Sequence, residues 1–115
     1  MSTHSVNLIV LGYSQGVSIA ARWLATRKIM CTHLILHSGA IPVELTPADF
    51  EFLPTDVPVT YLFGNKDPYI TEARKTEQHL KASALFGSRL EIEVFDGVHE
   101  VYTPFLKSLV LKKPD

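Results

Sequence analysis

The chain has 115 residues, of which 46% are apolar and 20% charged, the balance of an ordinary globular protein and not of a disordered or low-complexity one. A chain of that length makes one domain and buries roughly two-thirds of the surface it exposes when unfolded. The formal net charge of -1 supplies no long-range field for phosphate backbones or anionic lipid, and Lys112-Lys113 is too short a basic run to form a patch, so nucleic acid is not an expected partner. The single cysteine, Cys31, rules out an internal disulfide and a Cys-rich metal site, which favours a reducing compartment and a cytoplasmic location. The apolar run 6–11 is shorter than a signal-peptide core and far shorter than a membrane span, so neither a targeting segment nor a membrane span is expected.

In chain order, that run (Val-Asn-Leu-Ile-Val-Leu) has the nearly unbroken aliphatic character of a strand buried on both faces of a parallel sheet. Residues 17–28 contain neither Gly nor Pro and end in Arg27 and Lys28, cations that oppose a helix dipole at its C-terminus; a helix is expected, apolar on most sides. His33 to His37 (His-Leu-Ile-Leu-His) predicts a second strand, ended by Ser38-Gly39. Pro42, Pro47, Pro54 and Pro58 exclude a continuous helix or a central strand over 40–58 and leave a long loop with a short helical turn after Thr46-Pro47.

A third strand is expected over 59–63, then a helix over 70–86 with Ala73, Leu80 and Ala84 on its apolar side and Gly87 placed to end it. A fourth strand over 90–95 leads into the turn Asp96-Gly97. Phe105, Leu106, Leu109 and Val110 form the apolar stripe of a last helix whose start suits Thr103-Pro104. Strands alternating with helices predict an α/β fold: a parallel sheet of about four strands with flanking helices. Ligands of such sheets bind beyond the carboxyl ends of the strands. Chemistry is therefore sought at 12–16, 38–39, 64–70 and 96–100.

The first of these segments is Gly12-Tyr13-Ser14-Gln15-Gly16, a Gly-x-Ser-x-Gly sequence that joins a buried-strand pattern directly to a helix pattern. Small flanking residues let the backbone turn sharply and hold the serine exposed, which makes Ser14 the candidate nucleophile. The backbone N–H of Gln15, at the helix start, is the candidate oxyanion donor. A serine hydroxyl needs a base, and the base an acid that fixes its tautomer. Asp67 follows the third strand and His99 the fourth, in the Ser, Asp, His order of α/β-hydrolases.

Asp96 is the rival acid, but Asp-Gly after a strand is turn chemistry. His4, His33, His37 and His79 are expected in packing or at the surface, and Trp23 and Phe86 in the core. Tyr13 and Tyr69, next to the triad positions, are the candidate substrate-binding residues. Glu44, Asp49, Glu51 and Asp56 lack ligand-like spacing and are expected on a solvated face, so no metal is predicted. No phosphate loop or dinucleotide fingerprint occurs in the sequence.

Four segments taken together, Gly-Tyr-Ser-Gln-Gly before an Ala-rich helix, His-Ser-Gly-Ala-Ile-Pro, Gly-Asn-Lys-Asp-Pro-Tyr-Ile and Gly-Val-His-Glu, resemble the phospholipase/carboxylesterase family of α/β-hydrolases, to which the acyl-protein thioesterases belong. The resemblance runs from about Val6 to Leu109. It implies hydrolysis of carboxylic esters or thioesters through an acyl-enzyme on Ser14, without a cofactor. Val17 stands where many members carry another glycine. The family's N-terminal half, with the loop that donates the second oxyanion N–H, has no counterpart here, so residues 1–115 are expected to form one domain equivalent to the C-terminal half of the fold.

The first strand would then be an unpaired apolar edge. A second copy across a two-fold axis, pairing the edges antiparallel, is the expected cover. Two function classes follow from the residues: a serine esterase or thioesterase, and a non-catalytic hydrolase-like module that associates through that edge.

Overall fold

The computed structural model describes residues 8–111. The expectations for His4, Val6 and Lys112-Lys113, and those for the side chains of Leu109 and Val110, lie outside what it describes. Strand β1 (Ile9–Tyr13) continues two residues past the aliphatic run, because Gly12 and Tyr13 pair in register with Leu36 and His37 of β2 (His33–His37). Next in the sheet come β3 (Val59–Gly64) and β4 (Leu90–Phe95), giving the order β1-β2-β3-β4 with every neighbouring pair parallel.

Residues two apart on a strand share a face, and the two faces of this sheet are covered differently. Val10, Leu34, Leu36, Val59, Tyr61 and Phe63 pack with Val17, Ala21 and Leu24 of helix α1 (Gly16–Arg27) and with Ala82, Leu85 and Phe86 of helix α2 (Glu72–Phe86) in one buried cluster. Of the alternate positions, Ile35, His37, Thr60 and Leu62 are buried on the opposite face, while Ile9 and Leu11 of β1 are exposed. Helix α3 (Thr103–Leu111) reaches that face, with the Phe105 ring 6.3 Å from the His33 ring.

The helix ends follow local chemistry. Lys28 closes α1 in the left-handed region (φ 53°), its N–H bonded to the Leu24 carbonyl, and the Thr71 side chain caps α2 by accepting from the Arg74 N–H. In the long connection, Pro47–Phe50 forms the expected helical turn, a single 3-10 turn in which the Asp49 carboxylate accepts from the Thr46 N–H. That turn drives Phe50 into the core against Phe86, ring centroids 4.9 Å apart.

Two expectations about faces are corrected. Trp23, expected in the core, is 44% exposed on α1, one turn from the still more exposed Ile19. On α2 the buried side is Gln78, Ala82, Leu85 and Phe86, while Ala73, Leu80 and Ala84 are exposed. The rotation has a polar cause. Gln78 Oε1 accepts the buried Ile41 N–H, and Lys81 Nζ donates to the Val43 and Leu45 carbonyls, so α2 turns its polar stripe toward the irregular loop, whose backbone groups it satisfies. Phe86 lies in the core as expected.

Candidate active site

At the carboxyl end of the sheet, β1 passes into α1 through Ser14, whose φ is 57°. A left-handed conformation in a non-glycine residue costs on the order of 1 kcal/mol or more and persists only where its surroundings enforce it. Here the Ser14 N–H donates to the His37 carbonyl at 2.8 Å and the Val17 N–H donates to the Ser14 carbonyl at 3.0 Å. Gly39 makes the close approach of β2 possible: a Cβ on it would fall 2.0 Å from the Ser14 carbonyl oxygen and 2.6 Å from Val17 Cγ2. Val17 is thus buried against the glycine that follows the neighbouring strand.

The loops after β3 and β4 are tied to one another through their backbones. The Asn65 N–H donates to the Phe95 carbonyl, the Lys66 N–H to the Gly97 carbonyl, and the Gly97 N–H to Asn65 Oδ1. Gly64 sits under this junction, where a Cβ would meet the Gly97 carbonyl oxygen at 2.5 Å. The consequence is to bring Asp67 and His99 to one place.

Asp67 Oδ2 lies 2.6 Å from His99 Nδ1, and His99 Nε2 lies 2.9 Å from Ser14 Oγ. The Asp67 carboxyl is fully buried, and its other oxygen accepts the Tyr69 N–H at 2.9 Å. A carboxylate so held accepts the Nδ1 proton, which leaves Nε2 unprotonated and facing the serine hydroxyl. The structure therefore brings together all three side chains singled out in the sequence. Asp96 is elsewhere, exposed and paired with Lys66 Nζ at 3.1 Å.

Beside Ser14 opens a cleft of about 830 Å³, lined by Gln15, Ser38, Ile41, Tyr69, Ile70 and Gln78 among others. Tyr69 lines this cleft, and its ring lies 4.9 Å from that of His99. Tyr13 does not line the cleft; its ring packs between those of His37 and His99, at 5.0 and 5.3 Å, because the strand's alternation turns it to the face that α3 covers. Tyr61 donates its hydroxyl to the Gly39 carbonyl at 2.9 Å. Burial first, and the Asp67 charge second, push its pKa up to about 12, so it remains a donor at any ordinary pH. Of the acidic residues in the long loop, Glu44 pairs with Arg22 and Asp49 caps the helical turn.

His37 is the residue that sequence reasoning passed over. Its ring is fully buried, and its Nε2 accepts the Tyr102 N–H at 2.9 Å, just beyond His99. A backbone N–H can only donate, so the proton of the neutral ring sits on Nδ1, which donates to Ser38 Oγ at 2.8 Å. Burial, reinforced by His99, lowers the His37 pKa to about 4 against a smaller opposing effect of Asp67. The backbone carbonyl of this residue holds the Ser14 turn and its ring holds the His99 loop. The only sequence signal was its place as the last residue of a strand, next to Ser38.

No family model matches the sequence, and no curated protein does. Solved structures do. An acyl-protein thioesterase 2 from Zea mays superposes with a TM-score of 0.63 at 15% identity, over 95% of this chain and 55% of that one. This is an α/β-hydrolase-like fold. Esterase PE8 matches with a TM-score of 0.59 at 21% identity, over 90% of this chain and 47% of its own. The protein Atu2452 of Agrobacterium tumefaciens, of unknown function, matches with a TM-score of 0.57 at 22% identity, over 90% of this chain and 48% of that one. The chain spans about half the length of each of these structures, as expected for the C-terminal half of a phospholipase/carboxylesterase-like fold. Among the described residues, no helix is long and apolar enough to cross a membrane.

Proposed function

We propose that this chain carries the catalytic residues of a serine hydrolase that cleaves carboxylic esters or thioesters through an acyl-enzyme. The observation that carries this reading is the unbroken line from the buried Asp67 carboxylate through His99 to Ser14 Oγ, on a serine held at positive φ. In the forward step His99 Nε2 takes the Ser14 proton as Oγ bonds to the substrate carbonyl carbon. The tetrahedral intermediate collapses as the imidazolium returns the proton to the leaving alcohol or thiol, and Ser14 is left acylated. Water attacks the acyl-enzyme with the same base and releases the carboxylic acid.

Asp67 holds the tautomer and balances the imidazolium charge, and the Gln15 N–H, at the start of α1, is the oxyanion donor supplied by this chain. Tyr69 lines the cleft beside the histidine. No cofactor enters any of these steps. A second oxyanion donor belongs, by the family resemblance, to the half of the fold outside these residues, and a missing donor costs about 10²- to 10³-fold in rate. The expected activity of this chain by itself is therefore slow.

The test is hydrolysis of p-nitrophenyl acetate together with labelling by a fluorophosphonate probe. Both should vanish in Ser14→Ala; a variant that hydrolyses and labels as the wild type does sinks the reading.

A second reading rests on a separate observation. Ile9 and Leu11 are 39% and 42% exposed on β1, the strand that pairs only with β2 among the described residues, and Ile19 and Trp23 of α1 are exposed as well. Such an edge is an association hazard unless covered. Pairing with a second copy across a two-fold axis supplies that cover, and in the limiting case the chain is a non-catalytic module that works through this edge. Sedimentation across a dilution series decides this point: a concentration-dependent dimer that Leu11→Lys dissociates supports the pairing, and a monomer with native-like unfolding at every concentration refutes it. The buried Cys31 thiol, its pKa raised by desolvation, fits a reducing compartment, and a cytoplasmic location belongs to the same proposal.

A further inference from the structure

Two of the polar residues that line the cleft, Ser38 and Gln78, are more than nine-tenths buried. Each accepts one hydrogen bond from the protein and has its hydrogens left over. For Ser38 the chain of reasoning begins at Tyr102, whose N–H makes His37 Nε2 an acceptor; His37 Nδ1–H must then donate to Ser38 Oγ, so the serine's own proton points elsewhere. The residue is also held at φ 57°, a conformation that a glycine would adopt more cheaply. For Gln78, Oε1 accepts the Ile41 N–H at 2.8 Å, which assigns the amide and leaves the Nε2 hydrogens as donors. Among the described residues neither the Ser38 hydroxyl proton nor the Gln78 Nε2 group has an acceptor.

No buried side-chain nitrogen or oxygen among the described residues lacks a partner, so the Gln78 Nε2 hydrogens are open to the cleft; a substrate that displaces water there leaves such donors unpaired unless it brings an acceptor, and the site discriminates in favour of one that does. Arg74 and Glu77, of opposite charge, border the same cleft, and Arg22, which also lines it, is paired with Glu44 at 2.7 Å, so these charges are balanced and the cleft wall suits a neutral oxygen over a carboxylate. We propose that Ser38 and Gln78 are specificity-determining donors, and that the substrate is an ester or thioester carrying a second, uncharged acceptor oxygen, such as a ketone, hydroxyl or ether, away from the reacting carbonyl. Ser38 makes this contact while His37 Nδ1 carries a proton and donates it to Ser38 Oγ. The inference rests on the serine-hydrolase reading and adds to it a substrate class.

The experiment compares kcat/KM for p-nitrophenyl valerate with that for p-nitrophenyl levulinate and p-nitrophenyl 5-oxohexanoate, in the wild type, Ser38→Ala and Gln78→Glu. The Gln78→Glu substitution keeps an acceptor for the Ile41 N–H and removes the donors. Comparing the oxo/plain ratio between proteins cancels the intrinsic reactivity of each ester, and a loss of folding lowers both rates without moving the ratio.

The expected result is a wild-type ratio that falls about threefold to tenfold in each variant on at least one oxo-ester, the effect of one hydrogen bond, and that appears in KM more than in kcat. Hydrolysis by the wild type with a ratio unchanged in both variants overturns this inference alone. Absence of both hydrolysis and fluorophosphonate labelling in the wild type overturns the serine-hydrolase reading, and this inference with it.

Discussion

Acid should destabilise this fold through one identifiable side chain, His37. The ring is fully buried among Tyr13, Phe95 and the Tyr102 backbone, and its pKa falls from 6.5 to about 4, first because burial disfavours the charged ring and then because His99 adds repulsion. Between those two values the unfolded chain holds a proton that the native chain does not. Stability therefore falls as pH drops through that window, at about 1.4 kcal/mol per pH unit, and the full loss of about 3 kcal/mol is reached near pH 4. Above pH 6.5 the group makes no pH-dependent contribution.

A loss of that size is a large share of the 5–15 kcal/mol, roughly, that holds an ordinary domain together. It is also functional, because a protonated ring cannot accept the Tyr102 N–H, and that bond anchors the loop carrying His99. Urea unfolding of wild type and His37→Gln at pH 7.5, 6.0, 5.0 and 4.5 isolates the effect, since the other histidines and the carboxylates titrate in both proteins. The glutamine keeps an oxygen able to accept the Tyr102 N–H but does not titrate. The wild type should lose about 2 kcal/mol more than the variant between pH 7.5 and pH 5. Parallel curves would refute the reasoning and mean that the ring takes up its proton without cost.

Two further outcomes follow from the site. Asp67→Asn should lower kcat by about 10⁴ with little change in KM, because an amide can present its N–H to His99 Nδ1 and stabilise the wrong tautomer; steady-state kinetics on p-nitrophenyl acetate would show it, and a loss of less than tenfold would argue that the acid is not needed. Gly39→Ala should lower the thermal midpoint and the rate of Ser14 labelling together, since its Cβ would overlap the Ser14 carbonyl oxygen and the Val17 side chain. A labelling rate equal to the wild type's would show that the turn can move aside at no cost.

The order of elements was legible in the sequence because each carried its own local signal. The aliphatic runs that became β1 to β3, the Gly-free stretch of α1 and the proline-interrupted connection all state their structure over a few residues. The three candidate site side chains were legible for a related reason: in a parallel sheet every strand end is on the same side, so Ser14, Asp67 and His99, each just past a strand, had to share an edge. What their proximity does chemically remains the proposal above. Long-range satisfaction was invisible. No local pattern says that Gln78 and Lys81 bond the irregular loop, yet those bonds turned α2 and put Leu80 in solvent.

Nor does any pattern distinguish His37 from an ordinary packed histidine. Its role depends on a backbone N–H 65 residues away and on a hydroxyl beside it. Periodicity is a property of neighbours along the chain, so it settled the strands, the helices and the side of the sheet where chemistry gathers. Which buried polar groups find partners, and which donors remain to meet a substrate, is a property of neighbours in space, and only the packed tertiary structure decided it.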